Sequence, residues 1–201
     1  DKKVKLKNVK NKLQDILKTK NQIFDSLSSK YKYSYKKKFV NKLKKKIKNF
    51  RIIGIVGSIL GFKAIYNFLY YKVKRKVEFV DNLKSNIKNN LKNKKNFNLV
   101  ISKSGNTLET LTNVNLLLKK NDFNVFITQR NQSYLRELAA KMKAEIIDHN
   151  NFIGGRYSVL SEVGMLPTCL VGLHEKKFKQ FNNLIKNKNF VNAIVKNVSN
   201  I

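Results

Sequence analysis

Phe97-Asn98-Leu99-Val100-Ile101-Ser102-Lys103-Ser104-Gly105-Asn106-Thr107-Leu108-Glu109-Thr110 changes character halfway along. An uncharged run of strand type, ending in β-branched Val100 and Ile101, gives way to three hydroxyls, a lysine and a glycine. A helical apolar spacing then begins at Leu108. A buried strand that leaves through such a loop and re-enters as a helix is half of a βαβ unit. Working outward, the same alternation repeats. Upstream, Ile52-Ile53-Gly54-Ile55-Val56 ends at Gly57 and Ser58, and a helical stretch follows over about 60–71. Val77-Glu78-Phe79-Val80 comes next, then a lysine-rich helix within about 84–95. Downstream come a helix over about 107–118, a strand Val125-Phe126-Ile127-Thr128, a helix from Tyr134 to Met142 and a strand Glu145-Ile146-Ile147-Asp148. Five apolar strands alternating with four helices predict an α/β fold, with a doubly wound, parallel, five-stranded sheet flanked by helices. Its crossovers are right-handed.

Residues 1–50 have a different pattern. Lysines are interleaved with single apolar residues, and Val9, Leu13, Ile16 and Leu17 follow helical spacing, as do Phe39, Leu43 and Ile47. Asp25-Ser26-Leu27-Ser28-Ser29 reads as a turn between two amphipathic helices. Tyr31, Tyr33 and Tyr35 form one short strand-like run. The organisation is then an amino-terminal helical segment over 1–50, a sheet domain over 51–150, and a third part over 151–201. That part holds a glycine-arginine loop and the helical start of a second domain. A chain of 201 residues can bury a real core. With the single cysteine Cys169 no intrachain disulfide forms, which fits a reducing cytoplasm. The apolar surroundings of Cys169 make it a buried, inert thiol. No leader segment is visible. The uncharged apolar stretches 52–62 and 163–173 are too short for a bilayer, which needs roughly 20 apolar residues. No membrane association is expected.

The net charge of +31 suggests a polyanion partner at first sight. Three features weigh against specific nucleic-acid binding. Nearly all of the charge is lysine, whereas arginine makes bidentate contacts to guanine and phosphate. The lysine comes with abundant asparagine and isoleucine, the mark of AT-rich codons. Within 101–170 there are 8 Lys plus Arg against 6 Asp plus Glu, so the excess lies elsewhere. The charge is a solvated surface with weak nonspecific affinity for polyanions.

A doubly wound sheet binds ligands at the carboxyl ends of its strands, near a topological switch point. Three loops there carry chemistry. Ser102-Lys103-Ser104-Gly105-Asn106-Thr107 enters a helix with hydroxyls, an ammonium and a glycine, where free backbone N–H groups and the helix dipole favour an anion. A helix cap by Thr107 or Asn106 would explain one of these side chains, not Ser102, Ser104 and Thr107 together. The order of residues is not that of a nucleoside-triphosphate loop. Gly54-Ile55-Val56-Gly57-Ser58-Ile59-Leu60-Gly61 allows close backbone approach to a ligand, but Val56 breaks the dinucleotide fingerprint. Gly154-Gly155-Arg156-Tyr157-Ser158 bends tightly and places an arginine in the least basic part of the chain, as suits an anion.

Together, in this order and over about 51–172, these three motifs resemble the signatures of the glucose-6-phosphate isomerase family. Val56 departs from the family's usual glycine. The resemblance implies a sugar-isomerase (SIS) domain. It implies a substrate phosphate held by Ser102, Ser104 and Thr107, with Gly57, Ser58, Lys103, Gly105 and Asn106 completing the pocket. Arg156 would stabilise an enediolate as the catalytic arginine. The implied substrates are glucose 6-phosphate and fructose 6-phosphate, with no cofactor and no metal, in a cytoplasmic enzyme of glycolysis and gluconeogenesis that is a homodimer at full length. The family's glutamate base, ring-opening histidine and late lysine lie beyond the matched region. His149 and His174 are not in the matching motif, and Glu162 is not the family base. With Asp1 first and Ile201 last, the expectation is an incomplete chain, inactive alone. A non-catalytic SIS-type regulator that binds sugar phosphates is the alternative.

Overall fold

The structure, a computed structural model, describes residues 2–19, 21–83 and 95–201. In chain order the helices and strands are α1 (Lys2–Lys18), α2 (Gln22–Leu27), α3 (Lys37–Lys46), β1 (Asn49–Ile53), α4 (Leu60–Phe68), β2 (Val77–Val80), β3 (Asn96–Ile101), α5 (Leu108–Leu117), β4 (Phe123–Thr128), α6 (Tyr134–Lys141), β5 (Glu145–Asp148), α7 (Glu162–Leu170), α8 (Phe181–Leu184) and α9 (Lys188–Ser199). Short 3-10 turns cover Val56–Ser58, Tyr70–Lys72, Gly155–Leu160 and Glu175–Lys177. The lysine-rich helix expected after β2 falls on residues 84–94, outside the described residues.

Two compact units are present: residues 33–175, and residues 1–32 with 176–201. In the latter, α1 packs with α9. The rings of Phe24 and Phe181 stack at 5.6 Å. The Lys179 ammonium donates to the Ser26 carbonyl and sits 4.3 Å from the Tyr31 ring centre. The expected break at Asp25–Ser29 begins one turn later than the sequence suggests. Asn21 caps α2 by accepting from the Ile23 N–H, and the helix runs to Leu27 before Ser28 ends it.

The larger unit holds an all-parallel sheet in the order β2-β1-β3-β4-β5. Strands of an all-parallel sheet are covered on both faces, so they read as near-continuous apolar runs. All six residues of β3 are buried. One face carries Phe50, Ile52, Phe97, Leu99, Val125, Ile127 and Ile147 against Leu43 of α3, Phe62 of α4 and Leu166 and Leu170 of α7. The other carries Ile53, Val100 and Phe126 against Val114 and Leu117 of α5 and Leu135 and Ala139 of α6. Side chains of this kind contribute about 1.5–3 kcal/mol each when fully buried.

The second face also has a polar row. Glu78, Arg51, Asn98 and Asn124 stand in register on β2, β1, β3 and β4. Arg51 Nε donates to Glu78 Oε2 at 2.8 Å, and Asn98 Nδ2 donates to Asn124 Oδ1 at 2.8 Å and to Asp122 Oδ2 at 3.1 Å. Arg51 and Asn98 are 4% and 0% exposed.

Two local readings change. β1 ends at Ile53 rather than Val56. The Gly54 N–H still bonds Val80, but the chain then turns, and Val56 adopts φ 49° at the start of a 3-10 turn. Tyr31, Tyr33 and Tyr35 belong to no strand, and the Tyr33 and Tyr35 rings stack at 4.9 Å. Burial raises the Tyr35 hydroxyl well above its ordinary pKa.

Candidate functional site

Strand order reverses between β1 and β3, so their carboxyl ends diverge and leave a crevice. A cavity of about 670 Å³ lies there, lined by Ile55, Val56, Gly57, Ser58, Lys103, Ser104, Thr107, Gln129, Gly155 and Arg156. All three motif loops meet in it. A second cavity, of about 630 Å³, runs beside the body of β5, lined by Phe39, Ile146 and Ile147 with Lys36, Lys38 and Lys42.

At the start of α5 the capping groups point elsewhere. Thr107 occupies the N-cap position but makes no capping bond. Its hydroxyl lies 3.1 Å from Ser102 Oγ and 3.5 Å from Ser104 Oγ. The Asn106 side chain accepts from the Tyr134 N–H at the start of α6 (2.9 Å). Three hydroxyls thus converge at the amino end of a helix, a setting that favours an anion. Ser102 itself is buried. It accepts from the Gly105 N–H at 3.2 Å and holds the loop from beneath, without lining the cavity. Gly105 is left-handed (φ 70°), and a Cβ there would stand 2.3 Å from Ser133 Oγ.

The arginine loop docks on the β1 loop. A Cβ on Gly57 would stand 2.5 Å from the Gly155 carbonyl carbon and 2.9 Å from the Arg156 nitrogen, so only glycine lets the two backbones meet. Ser158 Oγ bonds the carbonyls of Gly57 (3.2 Å) and Gly155 (2.7 Å). Lys103 Nζ reaches across to the Asn151 carbonyl at 2.7 Å, tying the loop before α5 to the arginine loop. Arg156 is exposed on the cavity and has no carboxylate partner among the described residues. Among those residues no carboxylate or imidazole lines the cavity.

Of the residues predicted from sequence, Gly57, Ser58, Lys103, Ser104, Thr107 and Arg156 face the cavity, while Ser102, Gly105 and Asn106 form the loop behind it. Gln129, which lines the wall after β4, was not among the predicted site residues, although the loop it opens stands at a strand's carboxyl end. Asp148, where β5 ends, does not line this cavity. Its carboxylate accepts from Arg130 Nε at 2.8 Å and from Arg136. Partial burial raises its pKa, but the two guanidinium hydrogen bonds outweigh that and hold it below the usual carboxylate range. Cys169 is buried, and burial with the nearby Glu175 carboxylate pushes its thiol up to about 12, so it is no nucleophile.

The five-stranded, all-parallel α/β sheet flanked by helices is of the SIS type of fold. The chain belongs to the phosphoglucose isomerase family, which matches residues 3–199. It is 34% identical over 180 residues to the glucose-6-phosphate isomerase of Mycoplasma mycoides subsp. mycoides SC, covering 80% of this chain and 42% of the relative. Identity to the glucose-6-phosphate isomerase of Methanocaldococcus jannaschii is 32% over 168 residues, covering 73% and 41%. The chain thus spans about two-fifths of the length of these relatives. A hypothetical protein from Thermus thermophilus shares the fold, with TM-score 0.64, 21% identity, and coverage of 90% of this chain and 46% of that one. No helix among the described residues is long and apolar enough to cross a membrane.

Proposed function

We propose that the crevice between β1 and β3 binds the phosphate of glucose 6-phosphate and fructose 6-phosphate, and that in the complete enzyme it serves their interconversion. The observation that carries this reading is the convergence of the Ser104 and Thr107 hydroxyls, at the start of α5, with the exposed Arg156 guanidinium in one cavity. Ser104, Thr107, Lys103 and Ser58 hold the phosphate, with Gly57 letting the loops close around it. Ser102, Gly105 and Asn106 keep the loop in shape. Moving a proton between C2 and C1 builds negative charge on the sugar oxygens, and a fixed guanidinium stabilises that charge where it develops. The base that moves the proton must come within hydrogen-bond reach of the carbon. The family resemblance assigns that task to a glutamate beyond this chain, with a histidine supplied by the partner of a homodimer.

The test is calorimetry of glucose 6-phosphate on the 201-residue chain. A charge-assisted hydrogen bond contributes about 1.5–3 kcal/mol, so Ser104→Ala or Thr107→Ala should weaken binding about ten-fold or more. Variants that bind as tightly as the parent would reduce the loop to a helix start and sink the assignment. The cavity's lack of a carboxylate or imidazole among the described residues favours one second reading, sugar-phosphate binding without catalysis. The longer protein decides between the two: turnover there that disappears with Arg156→Ala excludes the binding-only role.

A further inference from the structure

His149 and Glu162 stand at the two ends of the loop that carries Arg156, and neither lines the cavity. Both are buried, at 2% and 0% exposure. His149 directly follows β5, where its N–H bonds the Thr128 carbonyl at 2.9 Å; Glu162 opens α7. The imidazole Nε2 lies 3.3 Å from the Ile153 carbonyl oxygen, which can only accept, so Nε2 carries a proton. Nδ1 faces Glu162 Oε2 at 3.7 Å. The other carboxylate oxygen accepts the Ser34 N–H at 3.0 Å. The 3.7 Å separation is wider than a hydrogen bond, so imidazole and carboxyl group meet as a buried side-chain pair that spans the two ends of the loop.

Such a pair is a poor way to gain stability, since apolar residues of similar volume hold a buried site at least as well. What it does fix is geometry. It joins the residue before the loop to the residue after it. The stretch between them carries Asn151, whose carbonyl takes the Lys103 ammonium, and Gly155, whose backbone meets Gly57. Arg156 sits where these constraints meet, yet its own guanidinium is exposed. Its aim therefore depends on the span of its loop.

We propose that the His149–Glu162 pair is a positioning device that holds Arg156 over the crevice. The proposal rests on the sugar-phosphate reading of that crevice. Two probes separate phosphate capture from arginine placement. Inorganic phosphate reads the Ser104 loop alone. A five-carbon aldonate 5-phosphate adds a carboxylate where an enediolate would carry its charge, and so reads Arg156 as well. The parent chain should prefer the aldonate by about ten-fold or more in calorimetry, on the scale of one charge-assisted contact. Arg156→Ala and His149→Phe should each abolish that preference, with inorganic phosphate bound within about two-fold of the parent in His149→Phe. The double variant should be no worse than Arg156→Ala, as expected when one residue acts through the other. Glu162→Gln should keep the preference, because its amide can donate to Nδ1 while its oxygen still accepts from Ser34. If Arg156→Ala loses the preference and a folded His149→Phe keeps it, the positioning role is wrong and the crevice reading stands. A parent without the preference overturns the crevice reading and this inference with it. Should His149→Phe fail to fold, the unmutated chain decides. The ring nitrogen resonances of His149 should move on adding the aldonate and stay in place with inorganic phosphate; resonances indifferent to both refute the coupling.

Discussion

Gly57→Ala places one methyl group between two loops. The added Cβ would stand 2.5 Å from the Gly155 carbonyl carbon, 2.6 Å from its oxygen and 2.9 Å from the Arg156 nitrogen. All three are backbone atoms, so no side-chain rotation relieves the contact. Carbon atoms rest at about 3.5–4.0 Å, so the arginine loop must retreat by roughly 1 Å. Overpacking of this kind costs typically 1–3 kcal/mol, and at about 2–4 °C per kcal/mol for a chain this size the melting temperature should fall by roughly 2–12 °C. The functional loss should be larger, because a misplacement of about 1 Å can cost 10²-fold in catalysis. Aldonate 5-phosphate binding, read by calorimetry, should weaken about ten-fold or more. Gly155→Ala is the matched control. Its Cβ would have Gly57 Cα at 4.0 Å as nearest neighbour, an ordinary contact, so it should melt within about 0.5 kcal/mol of the parent. If Gly57→Ala melts and binds like the parent, or if Gly155→Ala is equally damaging, the two backbones are not packed as described.

Three further outcomes are expected. Val56→Gly should stabilise the chain by about 0.5–1 kcal/mol. A left-handed L-residue costs roughly 1–2 kcal/mol, glycine gives back about 0.5–1 in entropy, and the 59% exposed Val56 loses little packing; a thermal melt at or below the parent's contradicts this. Asp148→Asn should destabilise by about 1 kcal/mol at neutral pH. Because the folded pKa lies below the unfolded one near 3.9, the carboxylate's contribution is complete above that value and is lost as pH falls through the folded pKa; parent and variant stabilities should therefore converge on acidification, and a gap that is constant from pH 7 to 2 would refute it. Finally, the 201-residue chain should bind glucose 6-phosphate without converting it, since no carboxylate or imidazole among the described residues lines the crevice; formation of fructose 6-phosphate at an enzyme-like rate, followed by a coupled assay, would overturn this.

The elements with strong periodicity were legible in the sequence. The strand around Val100 and the strand Glu145–Asp148 are apolar or β-branched runs between turn residues, and both stand where that pattern put them. The helix starting after Thr107 was legible for the same reason. Strand order was not, because local pattern carries no information about which strands become neighbours. The end of β1 was misjudged because Ile55 and Val56 look like strand residues. Gly54 there meets the Ile101 carbonyl, where a Cβ would stand 2.8 Å away, and such tertiary contacts leave no local trace. At the crevice, residue types were readable but orientations were not. Ser102 faces inward and Asn106 turns to α6, and their neighbours in the sequence give no sign of it. The pairing of His149 with Glu162 was equally invisible, because it depends on how a loop closes.

The polar row across β2, β1, β3 and β4 bears on how the chain finds its alignment. Side chains alternate with a period of two, so sliding one strand along another by two residues keeps every apolar group on its own face. Hydrophobic burial barely penalises that error. Asn98 does, because after such a slide its amide would lose Asn124 and stand buried without that partner, and Arg51 would be carried away from Glu78 if β1 slid against β2. The error matters at the far end of the same strands. Two residues at about 3.3 Å each would carry Ser104 some 6–7 Å along the sheet relative to Gly57, too far for one phosphate to bridge them. A row of amides and charges outside the crevice lining thus serves as a vernier, making the misaligned sheet distinguishable from the one in which the crevice can assemble.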